Sequence, residues 1–175
     1  MKALTLARRF LLPGFIVSIY FAIKYGCFVS HRAEVEPTRR LRIGKGTQIG
    51  SFTKIKATDG DLVIGRNAYI GPSCFITASN GGLTIGDYAM ISANSCIIGN
   101  NYRYDDLDVP ICQQEQESVG IRIGNNVWLG CGTIVMDGAD IGDGSIVSAN
   151  SVVSGKIPPN SIAQGNPATV IFERR

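Results

Sequence analysis

Residues 123–153 read IGNNVWLGCGTIVMDGADIGDGSIVSANSVV, with an aliphatic residue at every sixth position from Ile123 to Val153. Three earlier runs share this spacing. The fifteen positions of the four runs are Ile43, Ile49, Ile55, Ile64, Ile70, Ile76, Ile85, Ile91, Ile97, Ile123, Leu129, Val135, Ile141, Val147 and Val153. Eight of them are followed directly by glycine, at Gly44, Gly50, Gly65, Gly71, Gly86, Gly124, Gly130 and Gly142. A period of six matches neither the helix period of about 3.6 nor the strand period of about 2, and it indicates a coil that turns every six residues.

Three strands of six residues make one triangular turn of eighteen, with one aliphatic side chain pointing inward from each strand. We expect the adjacent glycines to lie near corners, where their backbone angles would disfavour a Cβ atom. Successive turns would stack at about 4.8 Å with their strands hydrogen-bonded. The first three runs restart every 21 residues, which adds three residues at one corner. The sequence therefore predicts an all-β fold, a parallel β-helix of about five triangular turns over residues 43–157.

The composition fits a single repeat domain. The chain has 175 residues, 21 glycines and 18% charged residues, which suits one domain with an aliphatic core. Its five cysteines are odd in number and form no C-x-x-C pair, as expected of reduced thiols in a cytoplasmic protein. Residues 1–42 carry a net charge of +6 and the remainder −3. Because the repeats lack a basic stripe with aromatic residues, nucleic acid is not an expected partner.

Residues 1–42 are predicted to be a basic, apolar helical segment followed by a polar connector. Residues 10–23 carry no charge and are flanked by basic residues, but they are fewer than the roughly 20 needed to cross a bilayer. Residues 8–24 have three interpretations: a secretory signal peptide, a helix lying on the anionic inner face of a membrane, or a helix packed on the repeats or on a neighbouring subunit. His31, the only histidine, is expected at the solvated surface of the connector.

Two segments leave the repeat. Residues 99–120 read GNNYRYDDLDVPICQQEQESVG, and an insertion of this length in a compact repeat is usually functional. We expect it to protrude from one corner of the prism toward a neighbouring subunit. Residues 158–175 are predicted to cap the open end of the stack, with residues 169–172 as a last strand or short helix.

The quoted 123–153 segment and the sequence IPPNSIAQGNPATVI (157–171) resemble the hexapeptide-repeat acyltransferases. Within that family, the similarity is to the maltose/galactoside and surface-polysaccharide O-acetyltransferases. The resemblance implies a left-handed parallel β-helix, an exception to the usual right-handed crossover. It also implies a homotrimer with acetyl-CoA in the grooves between subunits and a sugar or polysaccharide acceptor entering from the side of the inserted loop. No metal is implied.

The resemblance also assigns catalytic residues. In the family, the inserted loop reads approximately His-Asn-His-Arg-Phe-Asp-Asp, and its second histidine takes the proton from a sugar hydroxyl that attacks the thioester. Tyr102 occupies that position here, after Asn101 and before Asp105 and Asp106. Because a tyrosine ordinarily has a pKa near 10, it is a poor base at neutral pH. Asn94 matches the family's asparagine near the catalytic histidine, and it also fits a left-handed corner residue.

Five further positions match the family's coenzyme A contacts: Cys131, Ala149, Ser154, Gly155 and Lys156. At Ser154-Gly155 the family has Thr-Lys, so Lys156 is the candidate replacement for the phosphate-binding lysine.

Two functions follow as expectations. The first is an acetyl-CoA-dependent O-acetyltransferase acting on a sugar hydroxyl, with Asp105 or Asp106 taking the proton while Tyr102 orients the acceptor. The alternative is a non-catalytic trimer that binds ligand, because the catalytic histidine is replaced. A carbonic anhydrase on the same fold is excluded, since it needs three histidine ligands.

Overall fold

A computed structural model describes residues 13–57 and 59–175. Arg8 and Arg9, the basic residues that precede the predicted apolar segment, therefore lie outside the described residues. Within the described part, helix α1 (Gly14–Tyr25) precedes a stack of short strands. Three parallel sheets form the three faces of a triangular prism, which gives the predicted left-handed parallel β-helix.

Each face holds one strand from each turn of the coil. Face A contains β1 (Phe28–Val29), β4 (Gln48–Ile49), β7 (Tyr69–Ile70), β10 (Met90–Ile91), β15 (Trp128–Leu129), β18 (Ile146–Val147) and β21 (Ser161–Gly165). Face B contains β2 (Glu34–Val35), β5 (Lys54–Lys56), β8 (Phe75–Thr77), β11 (Cys96–Ile98), β16 (Ile134–Met136) and β19 (Val152–Val153). Face C contains β3 (Leu41–Ile43), β6 (Leu62–Ile64), β9 (Leu83–Ile85), β14 (Ile121–Ile123), β17 (Asp140–Ile141) and β20 (Lys156–Ile157).

All fifteen residues of the aliphatic repeat are buried in the interior of the prism. The stack begins earlier than predicted, because β1 pairs with β4 and β2 pairs with β5 in the same parallel register as the later turns. Val29 and Val35 fill the first turn, within residues 1–42, which the sequence assigned to a helical segment and a connector. The charged residues between them had concealed the repeat, although a corner between two strands readily carries solvated charge. The prism has six complete turns, numbered here from the N-terminus, one more than the predicted five.

The eight glycines that follow the repeat residues serve a different purpose from the one predicted. None of them has a positive φ. Instead, a Cβ atom on any of them would lie 2.4–2.7 Å from a backbone nitrogen of the next turn. The left-handed corner conformation falls two residues later, for example at Phe52, Asn67 and Ser73. Glycine is therefore required because neighbouring turns approach too closely for a side chain.

An element outside the repeat packs on the prism at each end. At the N-terminal end, Phe21 of α1 is buried against the first turn and the Tyr25 hydroxyl donates to the Leu41 carbonyl oxygen at 3.1 Å. One side of the helix therefore packs on the repeats, as one of the three interpretations of this segment expects. At the other end, β22 (Ala168–Glu173) folds back antiparallel on β21, so the predicted last element is a strand.

The described residues contain no helix that is long and apolar enough to span a membrane.

Replacing Gly71 with alanine tests the spacing between turns. The new Cβ would lie 2.7 Å from the Ala93 backbone nitrogen and 3.0 Å from the Ile91 carbonyl oxygen. Because backbone atoms of a stacked turn cannot move independently, we expect a loss of about 1–3 kcal/mol in the free energy of unfolding, measured by chemical denaturation. Gly155→Ala is the matched control, since no atom lies within 4 Å of the added Cβ. Equal stability of the two variants would contradict this account.

Candidate active site

The insertion at residues 99–120 leaves the prism at the corner between faces B and C in turn four, named here the BC corner. It contains an antiparallel hairpin of β12 (Asn101–Tyr102) and β13 (Gln116–Glu117) and a short 3-10 helix at Ile111–Gln113. The corner between faces A and B is named the AB corner. The two corners are separated by the width of face B, and the predicted site residues are divided between them.

A polar clamp fixes the root of the insertion. The Asp137 carboxylate, from the BC corner of turn five, accepts hydrogen bonds from the backbone N–H groups of Val119 (2.7 Å) and Gly120 (2.9 Å). The Ser118 hydroxyl oxygen lies 2.5 Å from the Gly99 carbonyl oxygen and 3.1 Å from the Asp137 carboxylate, and its single proton bonds one of them at a time. The C-terminal end of the insertion is thus tied to the next turn of the prism, and Ser118 also contacts its N-terminal end at Gly99.

Arg103 holds the hairpin through two carboxylates. Its guanidinium donates to Asp105 at 2.6 and 3.1 Å, and its Nε lies 3.4 Å from Glu117 on the opposite strand. The hydrogen bond from the Arg103 side chain lowers the pKa of Asp105. A carboxylate stabilised in its charged form is a weaker proton acceptor, which argues against Asp105 as the general base.

The outer part of the insertion is held by its own side chains. The Gln114 amide donates to the carbonyl oxygens of Asp106 (2.8 Å) and Val109 (2.9 Å). The Asp106 carboxylate accepts the backbone N–H of Asp108 at 3.0 Å, so one of its oxygens closes a turn. Asp106 is exposed, and its carboxylate remains in contact with solvent.

Tyr102 is 40% exposed and pairs with Gln116 across the hairpin. Asn101, the adjacent candidate, is also exposed and pairs with Glu117. A polar recess of about 170 Å³ opens at the foot of this hairpin. Its lining comes from the insertion and from the BC corners of turns two and three, through Lys56, Asp59, Thr77, Ala78, Ser79, Asn100 and Gln116.

Sequence reasoning did not identify Lys56 and Asp59, which give this recess a cation and a carboxylate. The signal was nevertheless present in the 21-residue spacing of the first three runs. The three additional residues per turn fall at the BC corner, within 57–61 and 78–82, directly beneath the insertion. A corner that contains additional residues in consecutive turns therefore indicated the position of the recess.

Asn94, Cys131 and Ala149 lie on the AB corner in three successive turns and are all exposed. Asn94 has the left-handed conformation (φ 60°), which makes it a corner residue as well as a site candidate. The Asn150 N–H donates to the Cys131 carbonyl oxygen at 2.9 Å, one of the bonds that stack these corners. Cys131 is a free thiol. Within one chain, these residues form a group of their own, separate from the insertion.

Ser154, Gly155 and Lys156 lie at the BC corner of turn six, two turns C-terminal to the insertion, and all are exposed. Lys156 stands opposite Asp140 in the register of face C. The Arg122 Nε donates to that carboxylate at 2.6 Å, so the Asp140 side chain next to Lys156 is already paired with an arginine. Within the described residues, no cluster of three or more His, Cys, Asp or Glu side chains is arranged to hold a metal ion.

Two families of repeats match the prism. The family described as "Bacterial transferase hexapeptide (six repeats)" matches residues 120–155, and the family described as "Hexapeptide repeat of succinyl-transferase" matches residues 61–98. These two segments flank the insertion and cover most of turns three to six.

Curated relatives are similar over parts of their length. Galactoside O-acetyltransferase of Escherichia coli (strain K12) is 48% identical over 59 residues, which is 34% of this chain and 29% of the relative. A probable acetyltransferase of Mycobacterium tuberculosis is 29% identical over 152 residues, which is 85% of this chain and 50% of the relative. The matched segments thus span half or less of these relatives.

Solved structures share the fold. AntD, an N-acyltransferase from Bacillus cereus in complex with dTDP and coenzyme A, superposes with a TM-score of 0.75 at 20% identity, covering 85% of this chain and 82% of the other. GDP-perosamine N-acetyl transferase from Caulobacter crescentus, in complex with CoA and GDP-perosamine, gives a TM-score of 0.64 at 22% identity and covers 84% and 57%. At these identities the likeness concerns the fold.

A left-handed β-helix built on six-residue repeats and interrupted at one corner defines a hexapeptide-repeat protein. The matches on both sides of the insertion support the predicted resemblance to the hexapeptide-repeat acyltransferases over residues 61–98 and 120–155.

Replacing Asp137 with alanine tests the clamp at the root of the insertion. Hydrogen bonds to a charged acceptor are worth about 1.5–3 kcal/mol, so we expect the amides of Val119 and Gly120 to exchange their hydrogens roughly 10- to 100-fold faster. Hydrogen exchange read by NMR measures this directly. Asp140→Ala is the control, because it removes a carboxylate from the same turn that binds Arg122 instead. Unchanged protection of the two amides in Asp137→Ala would refute the clamp.

Proposed function

We propose that this protein is an acetyl-CoA-dependent O-acetyltransferase that acts on a sugar hydroxyl of a surface polysaccharide or its precursor. The observation that carries the proposal is the clamped corner insertion, whose hairpin stands over a polar recess on a hexapeptide-repeat prism. The similarity to a galactoside O-acetyltransferase supports the O-acetyl assignment. The coenzyme A and sugar nucleotides named for the structural neighbours support the two substrate classes.

In the proposed reaction, the acceptor hydroxyl oxygen attacks the thioester carbonyl carbon. The hydroxyl gives up its proton, and the sulfur of coenzyme A leaves with the electron pair of the broken C–S bond. Orientation of the two substrates in a groove supplies part of the acceleration. In this proposal the Tyr102 hydroxyl would hydrogen-bond the acceptor hydroxyl. Because the charged form of Asp105 is stabilised by Arg103, the candidate proton acceptors are Asp106 and the recess carboxylate of Asp59.

A homotrimer would complete this site, and the outer surfaces of the prism support that assembly. The outward side chains of face A form a largely apolar stripe in register across the turns, at Phe28, Gln48, Tyr69, Met90, Trp128 and Ile146. Face B adds exposed apolar side chains at Phe75, Ile134 and Met136. Face C instead presents Arg42, Arg122, Asp140 and Lys156. Faces A and B meet at the AB corner, so packing them against neighbours would bring Asn94 and Cys131 to a subunit seam.

Met90→Glu tests this assembly. A carboxylate in the middle of the apolar stripe would be buried without a partner, so we expect the trimer to dissociate to monomers at micromolar concentration, measured by light scattering or sedimentation. Thr84→Glu adds the same charge to the polar face C of the neighbouring turn and should remain trimeric. A wild-type monomer, or a trimer that survives Met90→Glu, would contradict the proposed interface.

The catalytic proposal is tested by release of free coenzyme A thiol from acetyl-CoA in the presence of a panel of neutral sugars and amino sugars. We expect slow release that depends on a hydroxyl acceptor. Tyr102→His should raise the turnover number by about 10²–10⁴ with little change in KM for acetyl-CoA, because it supplies the missing general base. Tyr104→His is the matched control, being the same change two residues away at a more exposed site.

Two outcomes would argue against this assignment. Acetyl-CoA binding without thiol release by the wild-type chain, with release only after Tyr102→His, favours the alternative of a non-catalytic trimer that binds ligand. The replaced histidine and the ion-paired Asp105 are the observations that favour that alternative. Acetylation confined to amino sugars would point to an N-acetyltransferase, since an unprotonated amine attacks without losing a proton first.

A further inference from the structure

Helix α1 is apolar on both sides. Phe21 and the partly buried Val17 and Tyr25 pack on the first turn of the prism. On the other side, Phe15, Ile16, Ile19 and Ile23 are exposed, and Ile23 retains 82% of its accessible surface. At about 100° per residue, these four side chains lie within roughly 100° of the helix circumference. They form one continuous stripe, named here the outer stripe, directed away from the prism.

The segments next to this helix are rich in basic residues. Residues 24–46 carry six Lys or Arg and two Glu. One of the acids, Glu34, is paired with Lys54 at 3.7 Å. The segments that bear the cations touch the helix at three places. Gly14 packs against the His31 backbone, Gly26 lies beside the Lys45 side chain, and Tyr25 bonds the Leu41 carbonyl oxygen between Arg40 and Arg42.

The boundary of the outer stripe is also amphipathic. Next to it on the helix, Tyr20 accepts a hydrogen bond from Lys24 Nζ at 2.7 Å, and that ammonium lies over the Tyr20 and Tyr25 rings at 5.1 and 5.0 Å. An apolar stripe bordered by aromatic rings and then by cations matches the order of layers in a membrane interface, from acyl chains through the headgroup boundary to anionic phosphates.

We propose that the N-terminal end of the prism is a membrane-binding surface that inserts the outer stripe of α1 into an anionic lipid bilayer. The helix would lie in the plane of the interface, with the basic segments around it at the phosphates. We infer a bilayer rather than another protein chain, because the apolar stripe and the positive charge of the adjoining segments complement the two layers of an anionic membrane. This contact is independent of the proposed acetyl transfer.

Vesicle flotation of the full chain tests the proposal, using phosphatidylcholine vesicles with and without about one third phosphatidylglycerol. We expect the wild type to float with the anionic vesicles and to be released by high salt. The double variant Ile19→Gln, Ile23→Gln should bind at least about tenfold more weakly. Ile171→Gln, an exposed isoleucine of β22 at the opposite end of the prism, is the control and should bind like the wild type.

A second pair of changes, Arg42→Gln with Lys45→Gln, weakens the charge without altering the helix and should also reduce binding to anionic vesicles by about tenfold. It keeps the test decisive if the helix variant fails to fold, as judged by circular dichroism. The proposal is overturned if the wild type does not float, or if both double variants float as it does. It is equally overturned if the helix variant changes the oligomeric mass and leaves flotation intact, because the outer stripe would then belong to a subunit interface.

Discussion

The short distance between stacked turns, about 4.8 Å, constrains most of this structure. At that distance the backbone of one turn leaves no room for a Cβ atom on the glycines below it, and Gly71 is a clear example at 2.7 Å from the next backbone nitrogen. The same distance aligns the inward aliphatic side chains into an unbroken column that excludes water. Corners, in contrast, can lengthen without disturbing the column, so the chemistry of the protein is concentrated there.

The two corners that flank face B carry different parts of the candidate site. The BC corner carries the insertion, its clamp and the polar recess, while the AB corner carries Asn94, Cys131 and Ala149 on an edge between two apolar faces. Neither group is a complete acyl-transfer site alone. A seam between neighbouring prisms, as proposed, would join the AB corner of one subunit to the insertion side of another.

The column of inward residues was predictable from the sequence because its chemistry is uniform and its period is unlike that of any helix or ordinary strand. The first turn was not, because Val29 and Val35 are separated by charged corner residues. The glycines were recognised but explained wrongly, since the sequence does not report the distance to the next turn. The recess was missed because Lys56 and Asp59 are far in sequence from Asn100, and only the stacking of turns brings them together.

The clamp at Asp137 has a consequence for the order in which the chain acquires its structure. The carboxylate that ties the root of the insertion belongs to the following turn, not to the turn from which the insertion departs. A ribosome would therefore release residues 99–120 before their anchor has been synthesised. The hairpin becomes fixed only when the fifth turn docks, so ordering of the insertion is coupled to completion of the prism.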